Sequence, residues 1–171
     1  TTNFFGGGNP QGATAGMQAK AALESAASYF SNILIDSFTA IQTPAPYHSS
    51  FPGSTGLVTW SWQESFSNPT TGSTVMVTDP TVLANNYIIY AGARGLADNT
   101  AGVGGAGGYG WSSNVSGTNT FTPADIDQIT ATTASFESAV ETRGQASGFS
   151  RWGGAISFDT SARTWHYDHT T

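Results

Sequence analysis

Cysteine is absent from all 171 residues, which excludes disulfide bridges and thiolate metal sites and leaves the redox compartment open. Charge is scarce as well: 9% of residues are charged, against roughly 25% in ordinary soluble domains. Only five are Lys or Arg, scattered along the chain, and the formal net charge is −6. That balance excludes a phosphate-binding stripe, so nucleic acid is not an expected partner. No apolar run approaches the roughly 18 residues that would suggest a bilayer span. No signal peptide is visible, and Thr1 is not an initiator Met, which suggests a processed chain or a fragment. The Gly-x-Ser-x-Gly elbow of α/β-hydrolases does not occur, and nothing singles out one serine as a nucleophile.

What replaces the charge is Gly, Ser, Thr and Asn, beside 38% hydrophobic and 12% aromatic residues. Disorder requires low hydrophobicity and high net charge, so the chain is expected to fold, as one domain with no internal repeat or linker. A Lys-poor, Thr/Ser/Gly/aromatic-rich composition is similar to that of secreted bacterial surface proteins, and an extracellular or cell-surface location is expected from that analogy.

Residues 1–8, TTNFFGGG, place two aromatics before three glycines. They read either as a segment hinged to dock elsewhere or as a first strand of the domain's own sheet. Residues 9–171 form the α+β domain. Asn9-Pro10 reads as N-cap and first helical residue, with Met17, Leu23, Ala27, Phe30 and Leu34 on one face and an end near Asp36. Phe38–Gln42 reads as a strand, and Thr43–Thr55, with three prolines, as a loop holding the lone His48. Leu57–Phe66 alternates: Val58, Trp60, Trp62 and Phe66 on one face, Thr59, Ser61, Gln63 and Ser65 on the other. Asn68–Gly72 turns the chain into a hairpin partner, Thr74–Thr78. Asp79-Pro80 suggests a short helical turn. The apolar run Asn86–Ala93 reads as a central strand buried on both faces.

Gly102, Gly104 and Gly107 spell G-x-G-x-x-G, but no helix or spaced acid follows, so a dinucleotide site is rejected and the glycines are expected in tight turns. Asn114-Val115-Ser116 is an N-glycosylation sequon in an expected loop, which makes Asn114 a candidate glycan acceptor. Thr122, Pro123 and Asp125 open a second helix, with Ile126, Ile129, Thr133, Phe136 and Val140 along one stripe and Arg143-Gly144 at its end. Asp125 and Asp127 are expected to serve the helix dipole. Ala155–Asp159 and Thr164–Asp168 read as two short strands. The whole is α+β: two helices packed on a mixed, mostly antiparallel sheet.

Metal-capable side chains crowd together only near the end. His166 and Asp168 would share a strand face, with His169 as a third ligand to Zn²⁺ or Ca²⁺. The competing reading is a histidine hydrogen-bonded to a neighbouring strand. Glu64 with Asp159 or Asp168 is a nominal carboxylate pair for glycoside chemistry. The Trp60–Trp62 pair offers a sugar-stacking face, although large aromatics on a strand more often pack a core.

The order of helix, Trp hairpin, YIIYAGARGL, GVGGAGGYGW, capped helix, RWGGAISFD and TWHYDHTT resembles the N-terminal half of secreted bacterial zinc metallopeptidase-like proteins of the zincin type, from about Ala22 onward. The strand His166-Tyr167-Asp168 is also similar to the H-F-D strand of matrixins, whose His and Asp hold structural ions. The resemblance implies a helix bearing H-E-x-x-H shortly after TWHYDHTT, supplying two zinc ligands and the general base. No such motif, and no glutamate after Glu141, occurs here.

Two functions follow as expectations. One is an extracellular, non-catalytic structural subunit that assembles with copies of itself into a filament or surface layer. Terminal strand exchange would hold it together, through Phe4 and Phe5 or through Trp165 and Tyr167. The alternative is the N-terminal portion of a secreted zinc metallopeptidase whose catalytic helix lies beyond residue 171. In either case this chain carries no catalytic set of its own.

Overall fold

Two sheets and two helices make up the computed structural model, which describes residues 3–33, 35–118, 120–146, 152–161 and 164–167. The α+β class expected from the sequence holds, but the strands divide between two sheets where one was expected.

The first sheet is built on β2, Leu57–Ser67. On one edge it pairs antiparallel with β1, Tyr47–His48, and with β3, Thr74–Thr78. On the other edge it pairs with β6, Gly108–Ser116. Alternation does what period two requires: Val58, Trp60, Trp62 and Glu64 are all buried, with partly exposed residues between them. Asp79, at φ 51°, ends the β2–β3 ladder at its open end, its amide donating to the Trp62 carbonyl at 2.9 Å, in place of the expected helical turn. Its Oδ1 accepts from the Trp62 amide at 2.9 Å and from the Thr43 hydroxyl at 2.8 Å.

The second sheet has β7, Gly153–Asp159, at its centre. β4, Ile88–Arg94, runs parallel to it and β5, Gly102–Ala106, antiparallel. β4 is therefore an edge strand and not the doubly buried central one expected; Ile89 is 57% exposed. The central place goes to a strand of small residues, GGAISFD. Gly102–Gly110 does not form turns. It builds β5 and opens β6, because Gly107 between them passes under the Trp152 ring where a Cβ would collide. Asn114 consequently lies in β6, exposed, and not in a loop.

Helix α2, Pro123–Thr142, packs across β6 and β2. Its start is the expected capping box. The Thr122 hydroxyl accepts from the Asp125 amide at 3.1 Å, and an Asp125 carboxylate oxygen accepts from the Thr122 amide at 2.8 Å. Asp125 is buried, which alone would raise its pKa. Hydrogen bonds from Ser50, the Thr122 amide and Tyr47 outweigh burial and hold the carboxyl well below the usual range. At the other end Arg143 adopts the left-handed conformation, φ 55°. Its fully buried guanidinium donates to three main-chain carbonyls: Thr39 at 2.7 Å, Asn86 at 3.1 Å and Leu83 at 3.1 Å. These bonds fasten residues 38–41 to the body as a crossing with one bridge, Ile41 to Val82, instead of the expected strand.

Trp60, Trp62, Phe136, Val140 and Trp152 form the main core. Trp62 and Trp152 are at most 1% exposed; each contributes about 4–6 kcal/mol of transfer free energy before entropy is subtracted. Their indole N–H groups are satisfied, by the Pro80 carbonyl at 3.0 Å and the Gly108 carbonyl at 2.8 Å.

Helix α1, Ala13–Ile33, starts three residues later than Asn9-Pro10 suggested. Asn9 has other work: its Oδ1 accepts from the Gln11 amide at 2.9 Å, and its Nδ2 donates to the Phe4 carbonyl at 3.1 Å. The helix is buried only near its beginning, at Ala15, Gly16 and Ala19, and is exposed from Glu24 on. Gly16 is required there, since the Gly6 backbone crosses where a Cβ would stand. The expected core face does not pack: Met17 is 61% and Phe30 57% exposed, and Leu34 lies outside the described residues.

Candidate functional site

The terminal segments meet each other. Phe4 is buried, stacked on Phe158 with ring centroids 6.1 Å apart, edge-on to Phe5 at 5.4 Å and to Tyr167 at 6.5 Å. Trp165 packs edge-on to Phe158 at 5.8 Å, and Ala19 and Ala93 complete the cluster. Polar bonds lock the same junction. Asn9 Nδ2 lies 3.2 Å from the Tyr167 hydroxyl, and Gln11 exchanges two bonds with the Trp165 main chain at 2.8 and 3.2 Å. The four residues expected to bridge to a neighbour thus come together as a clasp inside one chain. Residues 4–8 form turns and not a first strand of the sheet.

Of the candidate metal ligands, His166 is exposed, while Asp168 and His169 lie outside the described residues. Residues 164–167 are not a strand. Among the described residues no three His, Cys, Asp or Glu side chains gather closely enough to hold an ion. His48 is exposed in β1.

Of the nominal glycosidase carboxylates, Glu64 and Asp159 are structural, and Asp168 lies outside the described residues. Glu64 is fully buried and its Oε1 accepts from the Tyr90 hydroxyl at 2.7 Å. Burial pushes the Glu64 carboxyl up, only partly opposed by that bond, and pushes the Tyr90 hydroxyl up to about 12. Asp159 Oδ1 closes a turn, accepting from the Leu96 amide at 2.9 Å, the Ser161 amide at 3.1 Å and the Ser161 hydroxyl at 2.7 Å. Trp60 and Trp62 are core residues, so they offer no sugar-stacking face.

The feature that sequence reasoning missed is a groove. Because α1 stands off the second sheet, a space of about 930 Å³ opens between them. Leu23, Ala27 and Phe30 line one wall, and Ile89, Gly154 and Ile156 the other. Beside it β5 pairs, among the described residues, only with β7, so its outer edge, GVGGA, lies open and every residue in it is exposed. Alternation puts Ile89, Ala93, Ile156 and Phe158 on the same sheet face. The clasp and the groove are therefore neighbours on one surface. The signal that could have found the groove was the run of Gly and Ala in β5 and β7, too small to fill the space below a helix carrying Leu and Phe.

Comparison with protein-family models, with curated proteins and with solved structures finds no match to this chain.

Proposed function

We propose that this chain is the non-catalytic N-terminal portion of a secreted zinc metallopeptidase-like protein. The segment beyond residue 171, carrying the metal-binding helix, would cover the groove between α1 and the second sheet. One observation carries the reading: an apolar helix stripe and an apolar sheet face confront each other across an unfilled space. A face of this kind calls for an apolar partner. Two arrangements support it. The clasp packs Trp165 and Tyr167 with Ala93 and Phe158, on the sheet face that also floors the groove. The open edge of β5 offers main-chain donors and acceptors to an extended peptide, the form in which a peptidase takes its substrate.

The test is the intact mass of the native protein, with the sequence that follows Thr171 and its zinc content. A continuation with H-E-x-x-H and one equivalent of zinc is expected, while residues 1–171 alone leave peptides uncut because the chain has no base beside a metal. A native protein ending at Thr171, or one continuing without metal ligands, overturns the reading.

Self-assembly is a second reading, favoured by one observation. A clasp made from both ends of a chain is an element that copies can exchange, giving heterologous contacts that propagate. Removing residues 1–8 would then turn filaments into monomers. Monomers before and after the deletion, measured by sedimentation, exclude it.

A further inference from the structure

Between the two sheets lies a second, smaller opening of about 170 Å³. Phe66, Ser67 and Asn68 at the end of β2 form one side; Ala155 and Ser157 of β7 and the β5 backbone form the other, with Arg94 of β4 among them. Among the described residues no carboxylate lines it.

Arg94 is out of keeping with the rest of the chain. The other described cations are occupied: Lys20 pairs with Glu24 at 3.6 Å, and Arg143 holds three carbonyls. Arg94 forms no ion pair among the described residues, and its Nε is buried without a hydrogen-bond partner. A buried N–H of a charged group left unpaired is costly and is normally matched by an acceptor. The acceptor nearest in register, Asp159, is engaged with Leu96 and Ser161. The guanidinium lies against Gly72, where a Cβ would collide with it.

The surroundings narrow the chemistry. Asn68 spends its Oδ1 on the Thr70 and Thr71 amides, at 2.8 and 3.2 Å, which leaves its NH₂ to donate. Ser157 donates to the Pro69 carbonyl at 2.7 Å. Among the described residues the pocket thus holds one planar cation, an amide group and apolar walls. One cation in a chain of net charge −6 balances a monoanion and leaves a dianion half unpaired. We propose that this pocket binds a single carboxylate group, paired with the guanidinium of Arg94. The inference stands on these residues and does not depend on the peptidase reading.

The test is titration of ¹⁵N-labelled protein with sodium acetate, reading the Arg94 Nε–H resonance. A saturable shift is expected, with inorganic phosphate at the same ionic strength competing poorly. Arg94→Gln should weaken acetate binding by about tenfold or more, and Arg94→Lys by less. Should Arg94→Gln fail to fold, Ser67→Asp supplies a second route: an internal carboxylate at the mouth should occupy the fork and abolish acetate binding. N-acetylglutamine and a capped glutamate amide then distinguish a chain-terminal from a side-chain carboxylate. A wild-type spectrum unmoved by acetate, phosphate binding more tightly than acetate, or unchanged binding in Ser67→Asp overturns the proposal.

Discussion

Two sides of this molecule carry a helix over a sheet, and only one is finished. Under α2 the space is filled: Trp60, Trp62, Phe136 and Val140 interlock, the Trp60 indole donates to Thr133 at 3.0 Å, and the Trp111 indole donates to Glu141 at 3.1 Å. The helix is capped at both ends by its own residues. Under α1 a floor of Gly, Ala and Ile faces Leu23 and Phe30 across a gap, and the last ten residues of the helix are exposed. Both helices carry apolar stripes of similar spacing. A stripe specifies that a helix face is to be covered, and it leaves open which surface covers it.

The largest expected effect lies on the finished side. Trp62→Ala removes a side chain that is 1% exposed, leaves a cavity in the main core and strands the Pro80 carbonyl. It should cost about 3–5 kcal/mol, read from urea unfolding, a large share of the roughly 5–15 kcal/mol that holds a domain folded. A loss below about 1 kcal/mol would mean that this core is as loosely filled as the α1 side.

A buried carboxyl in the same region sets a pH dependence. Folding raises the Glu64 pKa from its ordinary 4.5 because burial penalises the charge. The native state therefore holds its proton more tightly than the unfolded chain. Stability from this group is fully present below the unfolded pKa and declines as pH rises through the folded one. The decline should be on the order of 1 kcal/mol for each unit separating the two values. Glu64→Gln should remove it, so the difference in Tm between variant and wild type should grow in the variant's favour above about pH 4.5. Asp125 works in the opposite sense, losing its contribution as pH falls, and its range lies at stronger acid. A Tm difference that stays flat with pH would show that Glu64 is ionised at no cost in its site. Next in size is the α2 cap: Thr122→Ala should cost about 1 kcal/mol by the same unfolding measurement.

These residues also show where the sequence was readable. Strict alternation at Val58, Trp60 and Trp62 and the Thr122-Pro123-x-Asp125 box are local rules, and both elements stand as read, with boundaries within one residue. Glu64 occupies the same buried face as the tryptophans, but its type argued against burial, and only Tyr90, from a strand more than twenty residues away, explains it. The glycines at Gly102–Gly110 misled because turn chemistry and close packing demand the same residue. Whether glycine serves φ or the approach of Trp152 depends on a contact distant in sequence. Asn9-Pro10 had the composition of a helix start, but Asn9 was drawn to Phe4 and Tyr167 instead. Of the candidate site, the aromatic ends were legible as sticky segments; that they grip each other was not, because no local pattern encodes a partner.

The smallest expected effect decides whether the unfinished side is real. Phe30 is 57% exposed on the free part of α1, and Phe and Ser have similar helix propensity. Phe30→Ser should therefore change the stability of the 171-residue chain by less than about 0.5 kcal/mol. Under the proposed function the same residue is buried once the following segment covers the groove, and full burial of such a side chain is worth about 1.5–3 kcal/mol. The substitution should then destabilise the longer protein while leaving the shorter one almost untouched. Urea unfolding of both, with and without the substitution, forms a cycle whose cross term reports the covering contact directly. A loss well above 1 kcal/mol in the shorter chain would show that α1 already packs, so the two sides do not differ as described. Equal, near-zero effects in both lengths would leave the groove open in the whole protein and remove the observation on which the metallopeptidase reading rests.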